Sequence, residues 1–115
     1  MERLKQRSDF VAAAAGGKVH GAAFVLQSRD RGDDGAARVG FTVSKKVGNA
    51  VVRNRVRRRL REVVRLVADD RIPAGRDYVL IGRRAALDLS FERLVADFTG
   101  ALRRVSRPPG TQASS

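Results

Sequence analysis

The sequence predicts a single α+β domain, an α/β sandwich in which helices pack against a sheet. Residues 38–44 alternate apolar and polar side chains, which is typical of a strand with one buried face. Residues 77–82 are apolar on both faces, which favours a central strand. The segment between them carries apolar residues at spacings of three and four, the period of a helix face, and is long enough for a parallel crossover. At 115 residues, the chain can form one such domain with its own core.

The first predicted helix spans residues 9–15 and is rich in alanine. Ser8 is its predicted N-cap, and the two glycines after Ala15 are expected to end it. Because alanine buries little apolar area, this helix must be held by Phe10 and its neighbour Val11.

Strands are predicted within residues 18–28 and 38–44, as antiparallel neighbours joined by a solvated turn at 29–35. The three aspartates of that turn would permit a divalent-ion loop, but the calcium-loop spacing is absent and a solvated turn is favoured. In the second strand, Val39, Phe41 and Val43 are predicted to face the core, and Arg38, Gly40, Thr42 and Ser44 to form a small, polar, basic surface.

The segment 45–65 has nine basic residues and a single acidic one, Glu62. Asn49 is the predicted N-cap of a helix that ends near Asp69 and Asp70. Its predicted apolar face comprises Val52, Val56, Leu60, Val63, Val64 and Val67. On another face, Arg53, Arg57, Arg61 and Arg65 recur every four residues.

Like charges at that spacing destabilise a helix by a few tenths of a kcal/mol per pair. A polyanion would relieve the repulsion, because phosphates pair with guanidinium groups and release condensed counterions. The pattern therefore favours contact with nucleic acid over a merely solvated basic face.

After a turn at residues 72–75 and the buried strand 77–82, Asp88 or Ser90 is predicted to cap a last helix. Its apolar stripe comprises Phe91, Leu94, Val95, Phe98, Leu102 and Val105. Residues 1–105 are predicted to form the domain, and residues 106–115 a disordered tail.

Composition excludes several functional classes. The formal net charge is +12, as in many nucleic-acid-binding proteins, and the chain has no cysteine and one histidine, His20. Disulfides, cysteine-ligated metals and histidine-pair sites are therefore excluded, and the dispersed acidic residues offer neither catalytic residues nor a metal site.

The basic helix could also lie on an anionic membrane, but the flanking strands need its apolar face. With no membrane-spanning run, the chain is expected to be cytoplasmic, and no obligate protein partner is evident.

Residues 40–58 resemble the signature of the bacterial ribonuclease P protein subunit, whose centre matches Arg53-Asn54-Arg55. Supporting resemblances are Leu4-Lys5, Ser8-Asp9-Phe10, Phe24-Val25-Leu26 and Asp77-Tyr78-Val79, so that the similarity covers roughly residues 4–105. The resemblance implies the order α-β-β-β-α-β-α, like the second domain of ribosomal protein S5, with a left-handed crossover through the basic helix. It also implies a separate short strand near residues 18–20.

The function implied by the resemblance is assistance to a catalytic RNA, which itself hydrolyses a phosphodiester to release the 5′ leader of precursor tRNA. Magnesium ions would be held largely by that RNA, and no cofactor by this chain alone. The positions implied to contact the catalytic RNA are Lys45, Lys46, Asn49, Arg53, Asn54, Arg55, Arg57, Arg58 and Arg61.

The resemblance also implies a cleft between the sheet and the first helix that holds the single-stranded leader. Its positions here are Phe10, Ala14, Gln27, Arg38, Thr42 and Ser44. Many relatives carry an aromatic residue where Ala14 and Gln27 stand, and stacking is worth about 1–3 kcal/mol per base, so leader affinity or preference is expected to differ here. Phe10 could equally anchor its helix to the core.

Two alternatives share the basic helix: a general RNA- or ribosome-binding protein, and a DNA-binding domain. Against the second, seven arginines spread around most of a helix suit the phosphates of folded RNA better than base reading in a major groove. An autonomous hydrolase lacks the residues it would need.

Overall fold

The computed structural model describes residues 2–105, apart from the side chains of residues 68–71. The predicted tail at residues 106–115 lies outside the described residues. The strands are β1 (Glu2–Arg3), β2 (Gly17–His20), β3 (Phe24–Asp30), β4 (Arg38–Thr42) and β5 (Arg76–Gly82). The helices are α1 (Arg7–Ala14), α2 (Ala50–Arg71) and α3 (Phe91–Val105), with 3-10 turns at Lys45–Val47 and Arg84–Leu87. Apart from β1 and these turns, the elements follow the order α-β-β-β-α-β-α.

The five strands form one mixed sheet in the order β1-β4-β5-β3-β2. β5 lies at its centre, parallel to β4 and antiparallel to β3. Its residues Tyr78, Val79 and Leu80 are at most 1% exposed, which confirms the prediction of a central, buried strand. β4 and β5 are joined through α2, so the parallel crossover predicted from the segment length is also present.

The prediction that β3 and β4 are antiparallel neighbours was wrong, because β5 lies between them. The reason is burial: β5 is apolar on both faces and gains most from a position with a partner strand on each side. Residues 17–20 form a strand of their own, paired antiparallel to β3.

The two faces of the sheet carry different helices. α2 and α3 cover one face, where α2 packs on β4 and β5 and α3 packs on β2 and β3. The Phe24 ring of β3 and the Phe98 ring of α3 form an edge-to-face pair whose centroids are 6.2 Å apart. Five of the six residues predicted for the apolar face of α2 are buried, and Val52 is half-buried. On the opposite face, α1 packs on β3 and β5 around Leu4, Ala13 and Val79.

Two caps agree with the sequence and one does not. The Asn49 Oδ1 accepts a hydrogen bond from the Val52 amide at 3.0 Å, and the Ser90 Oγ accepts one from the Arg93 amide at 3.1 Å. Ser8, by contrast, lies inside α1, whose N-cap position is taken by Gln6 without a side-chain bond. The helix begins early because the preceding segment is pinned to the sheet, where the Leu4 amide donates to the Val39 carbonyl at 3.0 Å.

The remaining differences are local. β1 and the Arg84–Leu87 turn were not predicted, and Phe91 is 36% exposed although it was placed in the apolar stripe of α3. The turn after β3 is solvated as predicted, with Asp30 and residues 32–35 exposed, although the Arg31 amide donates to the Gly75 carbonyl and the Arg31 guanidinium points back to the sheet. Within residues 2–105, no helix is both long and apolar enough to cross a membrane.

Candidate RNA-binding surfaces

The solvent side of α2 and the 3-10 turn before it form the first surface, which we call the α2 surface. Its exposed members among the predicted RNA contacts are Lys45, Lys46, Asn49, Asn54, Arg55, Arg58 and Arg61, whereas Arg53 and Arg57 are half-buried. The apolar face of α2 is occupied by the core, so its basic side chains project away from the sheet. Among the described side chains of α2, only one is acidic: the Glu62 Oε1 lies 3.6 Å from the Arg65 Nη1.

Hydrogen bonding separates the arginines of this region into two groups. The Arg59 Nη1 donates to the carbonyls of Ala86 and Leu89 at 2.7 and 2.8 Å, and thereby ties α2 to the segment before α3. The Arg84 Nη1 donates to the Val47 carbonyl at 3.1 Å and holds the turn that precedes α2. These arginines are structural, because their donors are used on backbone carbonyls within the domain.

Three exposed arginines of α2 are free by the same criterion. Among the described residues, no hydrogen bond or ion pair satisfies the guanidiniums of Arg55, Arg58 and Arg61. Arg57 donates to the Asn54 Oδ1 at 3.0 Å. The Arg53 Nε is buried and has no hydrogen-bond partner within the described part of the chain. The exposed donors are available to phosphate oxygens. The Arg53 Nε is enclosed by the protein, so a phosphate can reach it only if the side chain moves.

The second surface is a cleft of about 550 Å³ on the opposite face of the sheet, beneath α1, which we call the α1 cleft. Four of the six predicted cleft residues line it: Phe10, Ala14, Gln27 and Thr42. Val79 and Ile81 of β5 also line it, and Lys5 and Arg7 add positive charge. The cleft therefore combines an aromatic ring, apolar side chains and cations, which is the combination that binds single-stranded nucleic acid.

The position of the Phe10 ring requires a residue without a side chain at position 40, which is Gly40. A Cβ atom at Gly40 would lie 2.5 Å from the Phe10 Cζ and 3.1 Å from the Leu4 Cβ, so the ring lies directly over the backbone of β4. Phe10 is half-buried and packs on the small cluster that holds α1, while it also lines the cleft. Both roles considered for Phe10 from the sequence are therefore compatible with its place in the structure.

Arg38 and Ser44, the other two predicted cleft residues, do not line the cavity. Ser44 is exposed beyond the end of β4. The Arg38 guanidinium is bound instead by Asp77, through Nε to Oδ1 and Nη2 to Oδ2, both at 2.8 Å.

Asp77 is fully buried and accepts hydrogen bonds from three arginines. Besides Arg38, the Arg29 Nη2 donates to Oδ2 at 2.8 Å and the Arg31 Nη1 donates to Oδ1 at 2.7 Å. Burial alone would raise the pKa of Asp77, but the hydrogen bonds from Arg38, Arg31 and Arg29 outweigh it and lower the pKa to about 2. The carboxylate therefore stays ionised, and the pKa of Arg38 is raised by the same bonds.

This ion cluster also reaches α1. The Asp9 Oδ1 lies 3.5 Å from the Arg29 Nη2 and 3.4 Å from the Arg38 Nη2, so two arginines link the buried carboxylate to the helix. The cluster thus fixes the N-terminal end of α1 over the sheet and contributes to the width of the α1 cleft. The sequence contains no local signal for it, since its members come from three strands, the turn after β3 and one helix.

Sequence reasoning missed several cationic residues near these surfaces. Lys5 and Arg7 were not among the predicted site residues, yet they line the α1 cleft because β1 anchors the segment before α1. Among the residues whose side chains the structure describes, no group of three or more histidine, cysteine or acidic residues could hold a metal ion. The aspartates of the 29–35 turn instead serve the turn itself, since Asp30 and Asp33 accept from the amides of Gly32 and Gly35.

Comparison with known proteins identifies the family of this chain. A protein-family model described as Ribonuclease P matches residues 1–106. The ribonuclease P protein component of Gluconacetobacter diazotrophicus is 52% identical over 103 residues, which cover 89% of each chain. That of Ruegeria pomeroyi is 47% identical over 108 residues, which cover 91% of this chain and 86% of the relative.

Two solved structures are similar over nearly the whole chain. The RNase P protein from Thermotoga maritima superposes with a TM-score of 0.77 at 30% identity, over 93% of this chain and 100% of that one. The RNase P protein of Staphylococcus aureus superposes with a TM-score of 0.75 at 29% identity, over 92% of this chain and 96% of that one.

Proposed function

This chain belongs to the ribonuclease P protein family, and from that premise we propose how its two basic surfaces serve the enzyme. It is a protein subunit of an endoribonuclease that acts in 5′ maturation of tRNA, and catalysis in that enzyme is carried by RNA. The α2 surface binds the catalytic RNA, and the α1 cleft holds the 5′ leader of precursor tRNA. The observation that carries this division is that the two surfaces lie on opposite faces of one sheet.

The assignment of the α2 surface rests on donors that the domain leaves unused. Arg55, Arg58 and Arg61 project free guanidiniums from one helix, and the buried Arg53 Nε lacks an acceptor among the described residues. Folded RNA presents closely spaced phosphates, so several rigid donors on one helix can each find an oxygen. Lys45, Lys46, Asn49, Asn54 and Arg57 extend the same surface and complete the proposed contact set.

The assignment of the α1 cleft rests on its lining. A single strand can place a base against Phe10 while its phosphates approach Lys5 and Arg7, the arrangement that binds single strands without reading much sequence. Ala14 and Gln27 contribute no aromatic ring to the lining, so its aromatic residues are Phe10 on α1 and Phe41 on β4. Thr42 and Gln27 offer hydrogen bonds to base edges. Arg38, bound to Asp77, contributes by holding α1 rather than as a free cation.

The proposal extends to three properties of the assembled enzyme. Magnesium ions are held largely by the RNA, in keeping with a chain whose buried carboxylate, Asp77, is already occupied by three arginines. The crossover from β4 through α2 to β5 has the left-handed sense of the family, as in the second domain of ribosomal protein S5, supported by the likeness to the solved structures. The protein acts in the cytoplasm, where its partners are the catalytic RNA and precursor tRNA.

The decisive experiment is cleavage of precursor tRNA at low magnesium by a bacterial ribonuclease P RNA, with and without this protein, beside the protein alone. Stimulation by the pair, with no cleavage by the protein alone, is the expected result. Binding of the RNA without stimulation would instead favour a general RNA-binding protein. Cleavage by the protein alone would contradict both functions.

Two substitutions separate the surfaces. Arg55→Ala should weaken binding of the catalytic RNA about tenfold, because a charge-assisted hydrogen bond to phosphate is lost. Phe10→Ala should mainly reduce the preference for precursor over mature tRNA, by about 5-fold or more, because one base loses its stacking partner. Arg104→Ala and Phe91→Ala are the matched controls, since both side chains are exposed on α3, away from the two surfaces. Equal loss of both properties in both variants would refute the division.

A further inference from the structure

A second, smaller cavity of about 270 Å³ lies at the edge of the sheet where β1 meets β4. It is lined by Glu2 and Arg3 of β1, Val39 and Phe41 of β4, and Arg61 of α2. It is on the α2 side of the sheet, because Val39 and Phe41 point toward the larger core. This cavity is therefore distinct from the α1 cleft.

The cavity exists because β1 is short. β1 pairs with β4 only at Arg38 and Val39, so no strand covers the outer edge of Phe41. Phe41 was predicted to face the core, and its side chain packs partly against it, but it remains half-buried at this edge. Phe41 also lines the α1 cleft, so the two cavities meet at the same residue.

The cations beside Phe41 are unused within the domain. Among the described side chains, neither the Arg3 nor the Arg61 guanidinium has a hydrogen bond or ion pair, in contrast to the three arginines that bind Asp77. Two free guanidiniums that flank an aromatic ring can hold the phosphates on either side of a stacked base. The Glu2 carboxylate can accept a hydrogen bond from the amino group of a base.

We propose that this cavity binds a single unpaired ribonucleotide, whose base stacks on Phe41 and whose phosphates pair with Arg3 and Arg61. Its volume suits one base rather than a larger ligand, since pockets for drug-sized molecules begin at about 300 Å³. The inference rests on the proposed function, because it assumes that the chain works on RNA. It adds a nucleotide-binding site to the two surfaces already described.

The nucleotide can come from two sources. Because Arg61 belongs to the α2 surface, the catalytic RNA can supply an extruded nucleotide. Because Phe41 also lines the α1 cleft, a leader that passes over the edge of β4 can supply its next nucleotide. The chemistry is the same in both cases, and the test separates them.

The test uses the full chain with catalytic RNA and precursor tRNA. Phe41→Leu keeps an apolar side chain against the core but removes the stacking platform, and Arg3→Gln removes one phosphate contact from an exposed strand. We expect each to weaken binding about 5- to 100-fold for the RNA that supplies the nucleotide. Phe91→Leu and Arg104→Gln are the matched controls, and thermal unfolding of each variant shows whether it is folded.

Ultraviolet cross-linking locates the contact directly. Trypsin releases Phe41 in the peptide 39–45 and Phe10 in the peptide 8–18, so a nucleotide adduct on each peptide is distinguished by mass. Fragmentation of the peptide 39–45 then shows whether the adduct is on Phe41 rather than on Thr42 or Lys45. An adduct on 39–45 with catalytic RNA alone, together with weaker binding of that RNA, assigns the site to the catalytic RNA. An adduct that requires precursor tRNA, with weaker binding of precursor but not mature tRNA, assigns it to the leader.

The proposal is overturned if folded Phe41→Leu and Arg3→Gln proteins bind both RNAs like the wild type and no adduct forms on 39–45. That failure is distinguishable from failure of the proposed function. In the first case the wild-type protein still stimulates cleavage by the catalytic RNA. In the second it does not.

Discussion

Replacing Asp77 with asparagine should destabilise the domain more than any surface substitution. The change keeps the size of the side chain but leaves Arg29, Arg31 and Arg38 around a neutral amide. Breaking a buried ion pair by removing one partner costs about 3–5 kcal/mol. Arg29 and Arg38 retain 32% and 27% side-chain exposure and can partly regain water, so we expect about 3 kcal/mol at pH 7.

The pH dependence gives an independent measure of the same interaction. The pKa of Asp77 is lowered from 3.8 to about 2 by its arginine partners against the opposing effect of burial, so its ionised form favours the folded state. This contribution is fully present above pH of about 4 and is lost as the pH falls through about 2. From the shift it is about 2 kcal/mol at pH 7 and about 1 kcal/mol at pH 3. The difference between the wild type and Asp77→Asn should therefore narrow in acid.

The assay is urea unfolding followed by circular dichroism at pH 7 and pH 3, at one ionic strength. Asp97→Asn is the matched control, because Asp97 pairs only with Arg93 on the surface of α3, and such pairs contribute about 0.3–0.5 kcal/mol. A loss below about 1 kcal/mol at pH 7 for Asp77→Asn, or a difference that stays constant between the two pH values, would refute the reasoning.

Two further substitutions test local features. Gly40→Ala should cost about 1–3 kcal/mol and weaken discrimination between precursor and mature tRNA, because its methyl group would lie 2.5 Å from the Phe10 ring and force α1 away from β4. Gly100→Ala, with no atom within 4 Å of the added carbon, is the control and should be neutral or stabilising in the same urea titration. Asn49→Ala should lower the free energy of unfolding by about 1 kcal/mol, because it removes the cap of α2. Asn49→Ser should keep most of the stability, since serine can also cap a helix. Equal stability of the two variants would contradict the capping role.

Elements with a strong local pattern were predicted well from the sequence. The spacing of three and four from Val56 to Val67 predicted the buried face of α2, and the doubly apolar run after Asp77 predicted the central strand. Caps were predicted where a single side chain acts on its own helix, as at Asn49 and Ser90. In each case the information lies within a few residues of the element that it determines.

Features that depend on distant partners were missed or misassigned. β1 is two residues long and pairs with β4 across more than thirty residues of chain, so it has no periodicity of its own. Arg38 was assigned to the leader cleft by the family resemblance, on the polar face that the alternation of β4 predicted. The alternation of β4 correctly predicted the face, but not that Asp77, 39 residues away, would bind the guanidinium.

The twenty arginines of this chain differ in the acceptors that surround their guanidiniums. Arg29, Arg31 and Arg38 surround a carboxylate, and Arg59 binds backbone carbonyls, so their donors are used in holding the sheet and helices together. Among the described residues, the guanidiniums of Arg55, Arg58 and Arg61 on the α2 surface and of Arg3 at the cavity beside Phe41 have no acceptor, and the same holds for Arg7, Arg83, Arg103 and Arg104 elsewhere.

This division follows from the positions of the carboxylates. Asp77 lies buried at the start of β5 and draws nearby arginines inward, whereas Glu62 is exposed and paired with Arg65, and no other acid lies on α2 between Ala50 and Val67. The positive charges on this face of α2 therefore repel one another in the isolated protein, and the repulsion is relieved only when phosphates approach. The acidic residues thus determine the RNA-binding surface as much as the arginines do, since an acid placed among Arg55, Arg58 and Arg61 would pair with the donors that the RNA needs.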